Sequence, residues 1–249
     1  MINFAHFIWF QGINNIPKEY ILNINRFKEF NPSFQIRFWS ETELLELLNN
    51  THENIFNYCI QKSTHFIQKI DIYKWLILYK FGGLYLDIDI SIEKPLDLFI
   101  LNIFNENDLV LNYMQVWSYI PYKVVNNGII WSKPNNKWII QFLHTIEWDN
   151  HYYKNKDWIV LETTGPFHLS RQVEQQNINN VGIYILEPKY FEGRPLVYIK
   201  DQRGIYTTHL HHSNWMENWL YMYVFFLKKI FFIFGIIIGY IIVNKFISN

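Results

Sequence analysis

Residues 81–97 read FGGLYLDIDISIEKPLD, and this stretch decides the fold. Ahead of it, from His65 to Phe81, apolar residues recur at helical spacing: Phe66, Ile70, Tyr73, Ile77 and Phe81. Asp71, Lys74 and Trp75 stand three and four apart, so they project from one side of that helix. Gly82 and Gly83 stop the helix, because glycine takes the left-handed cap conformation without penalty. From Leu84 to Ile90 the period drops to two. Leu84, Leu86, Ile88 and Ile90 face one way; Tyr85, Asp87 and Asp89 face the other. Two carboxylates side by side on a strand repel, and a hard divalent cation is the simplest compensating partner. An isolated Asp-x-Asp pair is more often the solvated face of an edge strand. Here the pair comes with a helix, a Gly-Gly stop and a Lys-Pro-Leu-Asp exit at 94–97, and that combination is far more specific.

Working outward, the composition sets bounds. The 249 residues suit one domain plus an appendage, and 50% apolar with 19% aromatic residues supply ample core. The 22 basic and 22 acidic side chains cancel, so bulk charge does not favour nucleic acid as a partner. Cys59 is the only cysteine, which excludes an intramolecular disulfide and a Cys-rich zinc site. MINFAHFIWF has no basic leader and only a short apolar run, so it is not read as a signal peptide.

Phe4 to Trp9 is expected as a first buried strand. Asn14/Asn15 to Phe30 comes next as a helix with Pro17 in its first turn, then Phe34 to Trp39 as a second strand. Ser40-Glu41-Thr42-Glu43 is a capping box that opens a Leu-rich helix. Strand and helix thus alternate up to Ile90, which predicts a mostly parallel sheet covered on both faces. Ligands of such sheets bind beyond the C-terminal ends of the strands, where Asp87 and Asp89 lie. No Gly-x-Gly-x-x-Gly comes after the first strand, so a Rossmann dinucleotide enzyme is unsupported. Further strands are expected at Asp108–Tyr113, Val124–Trp131 and Val181–Leu186, with a helix at Pro134–Leu143. The aromatic loop Trp117–Tyr122 either lines an acceptor cleft or covers the core. Asn126-Asn127-Gly128 is also an ordinary turn signal. Thr163-Thr164-Gly165-Pro166 reads as a capped helix start, a position that can also hold an anion or a sugar hydroxyl.

The string at 71–97, from Asp71 to Asp97, resembles the core of the family-32 glycosyltransferases, which include sphingolipid and initiating mannosyltransferases. The large glucosylating bacterial toxins share that core. The matches are Asp71, Leu78-Tyr79, Gly82, Gly83, Tyr85, Asp87, Asp89 and Pro95-Leu96-Asp97. The departure is Lys74, where the family usually has arginine. His6, Trp9 and Gly12 fit the family's first-strand pattern, and His209 with Ser213 and Trp215 fits its late His-to-Trp spacing.

The resemblance implies a GT-A-type α/β fold and a metal-dependent, retaining transfer from a UDP- or GDP-sugar to a glycan or glycolipid acceptor. It implies Mn²⁺ or Mg²⁺ held by Asp87, Asp89 and His209. Asp71, Lys74, Asp87 and Asp89 form the implied catalytic set. Trp9, Asp71, Tyr85, Asn127, Ser213 and Trp215 are the implied donor-binding set, with Trp9 stacked on the base and Asp71 on a sugar or ribose hydroxyl. A non-catalytic, membrane-anchored carbohydrate-binding protein on the same fold is the alternative. From Trp219 the chain turns apolar, with Ile230–Val243 unbroken and Lys228, Lys229 and Lys245 flanking it. The expected division is therefore a catalytic domain at 1–217 and a membrane-associated helix at 218–249. A C-terminal anchor without a signal peptide would put the catalytic domain on the cytosolic side.

Overall fold

The computed structural model describes residues 3–115, 123–149, 155–175, 182–192 and 203–210, together with Gly235. The chain divides into two compact units, Met1–His212 and Ser213–Asn249. The first unit begins with β1 (Asn3–Ile8), α1 (Lys18–Phe30), β2 (Phe34–Trp39), α2 (Glu41–Asn49), α3 (Asn54–Lys62), α4 (Phe66–Phe81), β3 (Gly83–Leu86) and β4 (Ile90–Ile92). It continues with α5 (Leu98–Glu106), β5 (Leu109–Gln115), β6 (Lys123–Ser132), α6 (Lys137–His144) and α7 (Lys156–Thr163). Its last elements are α8 (Pro166–Gln175), β7 (Ile183–Leu186), α9 (Pro188–Phe191) and β8 (Thr207–His209).

The main sheet has the order β2-β1-β3-β6-β5-β7. β1 runs parallel to β2 and β3, and β5 runs parallel to β7, while β6 is antiparallel to both its neighbours. The sheet is therefore mostly parallel with one reversed strand, a GT-A-like α/β arrangement as the resemblance implied. Helices cover both faces. On one side Leu44, Leu47, Phe56, Trp75, Leu76, Trp138, Phe142 and Leu169 of α2, α3, α4, α6 and α8 form one core. On the other, Ile24, Phe27, Ile100, Phe104 and Phe191 of α1, α5 and α9 form a second.

Helix α4 is the pivot of the first core. The sequence predicted one apolar side, but every residue from Asp71 to Leu78 is buried, while Phe66 is 52% exposed. The reason is position: α4 packs on β1, β3 and β6 and is itself covered by α3 and α7. Gly83, at φ 96°, starts β3 immediately after it. A Cβ there would lie 2.6 Å from the Phe4 carbonyl oxygen, so only glycine lets β3 pair closely with β1.

His6 pins the same junction. Trp39 Nε1–H donates to His6 Nδ1 at 3.2 Å, so the ring proton sits on Nε2, which donates to the Gly82 carbonyl at 2.9 Å. Burial pushes its pKa down to about 4, keeping it neutral.

The predicted strand from Leu84 to Ile90 is two strands. β3 ends at Leu86, where the Asp87 N–H donates to the Gly128 carbonyl at 2.7 Å. The Asp87 carbonyl then accepts from Ile90 N at 3.2 Å, which closes a turn. The chain leaves the sheet there, and β4 pairs antiparallel with β8, Ile90 opposite His209. The capping box at Ser40 and Glu43 forms as predicted. The Thr163–Pro166 stretch opens a helix at Pro166 as expected, but its threonines do not cap that helix: Thr163 ends α7 and Thr164 is its C-cap. Asn126-Asn127-Gly128 is no turn either, since it lies inside β6.

The aromatic loop Trp117–Tyr122 lies outside the described residues, as do Ser213, Trp215 and, apart from Gly235, the predicted membrane helix at 218–249. Among the described residues no helix is long and apolar enough to cross a membrane.

Candidate active site

Three elements converge at the C-terminal end of β3. The turn after β3 carries Asp87 and Asp89, β8 brings His209, and the middle of β6 supplies Asn126, Asn127 and Gly128. Beneath them α4 presents Asp71 and Lys74.

The lower layer is a buried polar network. Asp71 is 2% and Lys74 4% exposed. Lys74 Nζ lies 3.0 Å from Asp71 Oδ1 and 3.5 Å from Asp87 Oδ1, and donates to the Asn127 carbonyl at 3.2 Å. Asn127 Nδ2 donates to Asp71 Oδ1 at 3.1 Å, and Thr164 Oγ1 to Asp71 Oδ2 at 2.8 Å. Burial alone would depress the Lys74 pKa, but Asp87 and Asp71 outweigh it and hold the ammonium above its ordinary range. Burial pushes the Asp71 carboxyl up, opposed by Lys74 and Thr164.

The resemblance assigns Asp71 a sugar or ribose hydroxyl as partner. In the structure both its oxygens are taken up internally, because Asp71 and Lys74 lie in the stretch of α4 from Asp71 to Leu78 that is buried throughout, facing Asn127 and Thr164. Tyr85, expected among the donor contacts, is also buried and gives its hydroxyl to Asp87 Oδ1 at 2.7 Å. Burial and the adjacent Asp87 carboxylate push its phenol well above its usual pKa, so it stays a donor.

The upper layer is half-buried. One ligand atom from each of Asp87, Asp89 and His209 lies within 4.8 Å of the others. His209 Nε2 is 3.4 Å from Asp89 Oδ1, and the Leu210 N–H donates to the Asp89 carbonyl at 3.2 Å. Burial would lower the His209 pKa, but Asp89 and Glu192 raise it well above the ordinary value.

Two carboxylates and an imidazole suit a divalent ion that accepts oxygen and nitrogen donors. The space between them is kept by Gly128: a Cβ there would lie 2.8 Å from Asp87 Oδ2 and 3.1 Å from His209 Cε1. The residues present therefore fit a small cation.

Trp9 is placed elsewhere. It lines a cleft of about 500 Å³ with Gly12, Asn15, Arg37, Trp39 and Ser40, beyond the C-terminal ends of β1 and β2. Its ring packs on Tyr20 with centroids 6.1 Å apart, and its Nε1–H donates to the Asn15 carbonyl at 3.1 Å. Asp87 and Asp89 do not line that cleft.

Sequence reasoning missed Glu192, and it singled out the stretches of Asn126 and Thr164 without giving those side chains these partners. Asn126 and Glu192 both sit against His209. Asn126 had a signal, since it is two residues from Gly128 on the same strand face. Glu192 had none, because the short helix α9 reaches the site only through the fold.

A mostly parallel α/β sheet thus carries an Asp-x-Asp turn beyond its C-terminal edge, the arrangement that the resemblance implied. Residues 17–110 match the glycosyltransferase sugar-binding region containing the DXD motif. It is 26% identical over 161 residues to inositol phosphoceramide mannosyltransferase 1 of Schizosaccharomyces pombe, covering 64% of this chain and 47% of that one. The chain therefore spans about half the length of that relative. It is 25% identical over 241 residues to the uncharacterized glycosyltransferase L373 of Acanthamoeba polyphaga mimivirus, covering 91% and 88% of the two chains. The PaToxG glycosyltransferase structure is similar over 70% of this chain and 69% of its own, at 20% identity and a TM-score of 0.48.

Proposed function

We propose that this glycosyltransferase is metal-dependent and takes its sugar from a nucleotide-diphosphate donor with retention of configuration. The observation that carries the reading is the meeting of Asp87, Asp89 and His209 around the space left by Gly128. Asp87, Asp89 and His209 would hold Mn²⁺ or Mg²⁺, which supplies Lewis-acid stabilisation of the leaving diphosphate. Tyr85 and Lys74 hold Asp87 Oδ1 and so fix the direction of its other oxygen. Lys74 keeps the charge of the family's usual arginine without its bidentate fork. Asp71 and Thr164 act through Lys74 and Asn127, holding the floor of the site in place.

Retention is carried by the family resemblance. The acceptor attacks on the face from which the diphosphate departs, through an oxocarbenium-like transition state. Trp9 would offer an aromatic face to the base of the donor from its cleft beyond β1.

The relative named as an inositol phosphoceramide mannosyltransferase makes a mannosyl donor and a glycolipid acceptor the first pair to try. The apolar segment within 218–249 would hold the catalytic unit, 1–217, at a membrane where such an acceptor resides.

The test is release of free sugar from a panel of UDP- and GDP-sugars with Mn²⁺, using the full chain. One donor should be hydrolysed slowly, and both chelator and Asp89→Ala should abolish the release. Release that persists in chelator overturns the metal reading.

A further inference from the structure

Glu192 is fully buried at the end of α9, with its carboxylate turned toward the imidazole of His209. Its Oε2 lies 3.6 Å from His209 Nδ1, while Nε2 of the same ring faces Asp89 Oδ1 at 3.4 Å. The imidazole thus stands between two carboxylates, one inside the protein and one at the site. The main chain repeats the contact, since the His209 N–H donates to the Glu192 carbonyl at 3.3 Å. Asn126 closes the group: its Nδ2 donates to Glu192 Oε2 at 2.6 Å and lies 3.2 Å from His209 Nδ1. Its Oδ1 accepts from Gly128 N at 2.6 Å, so the same side chain also fixes the glycine whose missing Cβ leaves room for an ion.

We infer that Glu192 is a positioning residue. With Nε2 turned to the space shared with Asp87 and Asp89, where it would bind an ion, the ring proton sits on Nδ1. Glu192 Oε2, 3.6 Å away, is the carboxylate that receives it, and Asn126 Nδ2, which can only donate, then serves Glu192. The inference rests on the metal reading above and goes beyond it, because Glu192 lies outside the group of residues able to reach the ion. A carboxylate behind a ligating imidazole fixes the ring's orientation and tautomer, and raises the basicity of the nitrogen that binds. The cost of enclosing an ionised carboxylate is offset by Asn126 and by the imidazole it steers.

The test uses Mn²⁺ itself and the full chain, and reads binding rather than turnover. Titration followed by electron paramagnetic resonance gives the affinity. Pulsed measurements on the saturated protein give the ¹⁴N coupling that marks an imidazole on the ion. The native protein should bind Mn²⁺ with that coupling, and His209→Ala should remove the coupling. Glu192→Gln should weaken binding by about 10–100-fold and reduce the coupling. Glu192→Asp, which keeps the charge but draws it back by one methylene, should fall between the two with its coupling retained. It also serves as the decisive variant if Glu192→Gln does not fold, an outcome checked by circular dichroism. A native protein that binds no Mn²⁺ overturns the metal reading and this inference with it. Native binding with ¹⁴N coupling, and unchanged affinity and coupling in the folded Glu192 variants, overturns this inference alone.

Discussion

Lys74 carries more of the site than a single surface charge would. It is buried against Asp71 and Asp87, and removing one member of such a group leaves the others enclosed without compensation. Lys74→Met is expected to lower stability by about 3–5 kcal/mol in urea titrations. A loss below about 1 kcal/mol would mean that the carboxylates are compensated by other means. Gly128 tests the opposite quality, empty space. Gly128→Ala puts a methyl group 2.8 Å from Asp87 Oδ2, so Mn²⁺ binding should weaken by about 5–150-fold, equivalent to the roughly 1–3 kcal/mol typical of overpacking. Native affinity in a folded Gly128→Ala protein would show that the ion sits elsewhere. At this scale the grouping of Asp87, Asp89 and His209 was legible, the acids from a two-residue spacing that the structure places in a turn and His209 from the family's spacing to Trp215. The depth of Asp71 was not, because one amphipathic count cannot distinguish a helix covered on one side from one covered on several. Glu192 was invisible for a different reason, since nothing local marks an acid just after a four-residue helix as facing a histidine seventeen positions later.

Among the elements, β1 and β3 are joined through a neutral histidine. His6 has its pKa lowered to about 4 by burial, and His168 against Thr145 is likewise lowered to about 4. An unfolded histidine titrates near 6.5, so between those values the unfolded chain binds more protons and stability rises with pH. Stability should therefore fall as pH drops from about 6.5 and level off below about 4. Each histidine contributes up to roughly 3 kcal/mol to this loss. Denaturant midpoints across that window measure it, and His6→Gln should flatten the slope. A slope unchanged by that substitution would place the His6 effect elsewhere. The elements legible in sequence were those with strong local period or caps: β1, β2, α2 and β6. The break of the predicted strand at Asp87 was not legible, because both halves keep the alternation. What separates them is the pairing of β4 with β8, more than a hundred residues away in sequence.

For the whole molecule, the chain divides into two compact units, and the second contains the apolar run at 230–243. The full chain is expected to co-sediment with phosphatidylcholine vesicles, and a chain ending at Glu217 to remain in the supernatant. Equal sedimentation of both would place the membrane contact in the catalytic unit, and sedimentation of neither would remove the anchor. The sheet and its two cores are the scaffold; the candidate site is the place where β3 ends, β6 passes and β8 returns. The most direct test is a crystal grown with Mn²⁺ and a nucleoside diphosphate, measured at the manganese absorption edge. One anomalous peak is expected, bounded by Asp87, Asp89 and His209, with Gly128 beneath it. A peak bound by other side chains, or an ordered nucleotide with no peak at those three, would contradict the metal site and the transferase chemistry built on it.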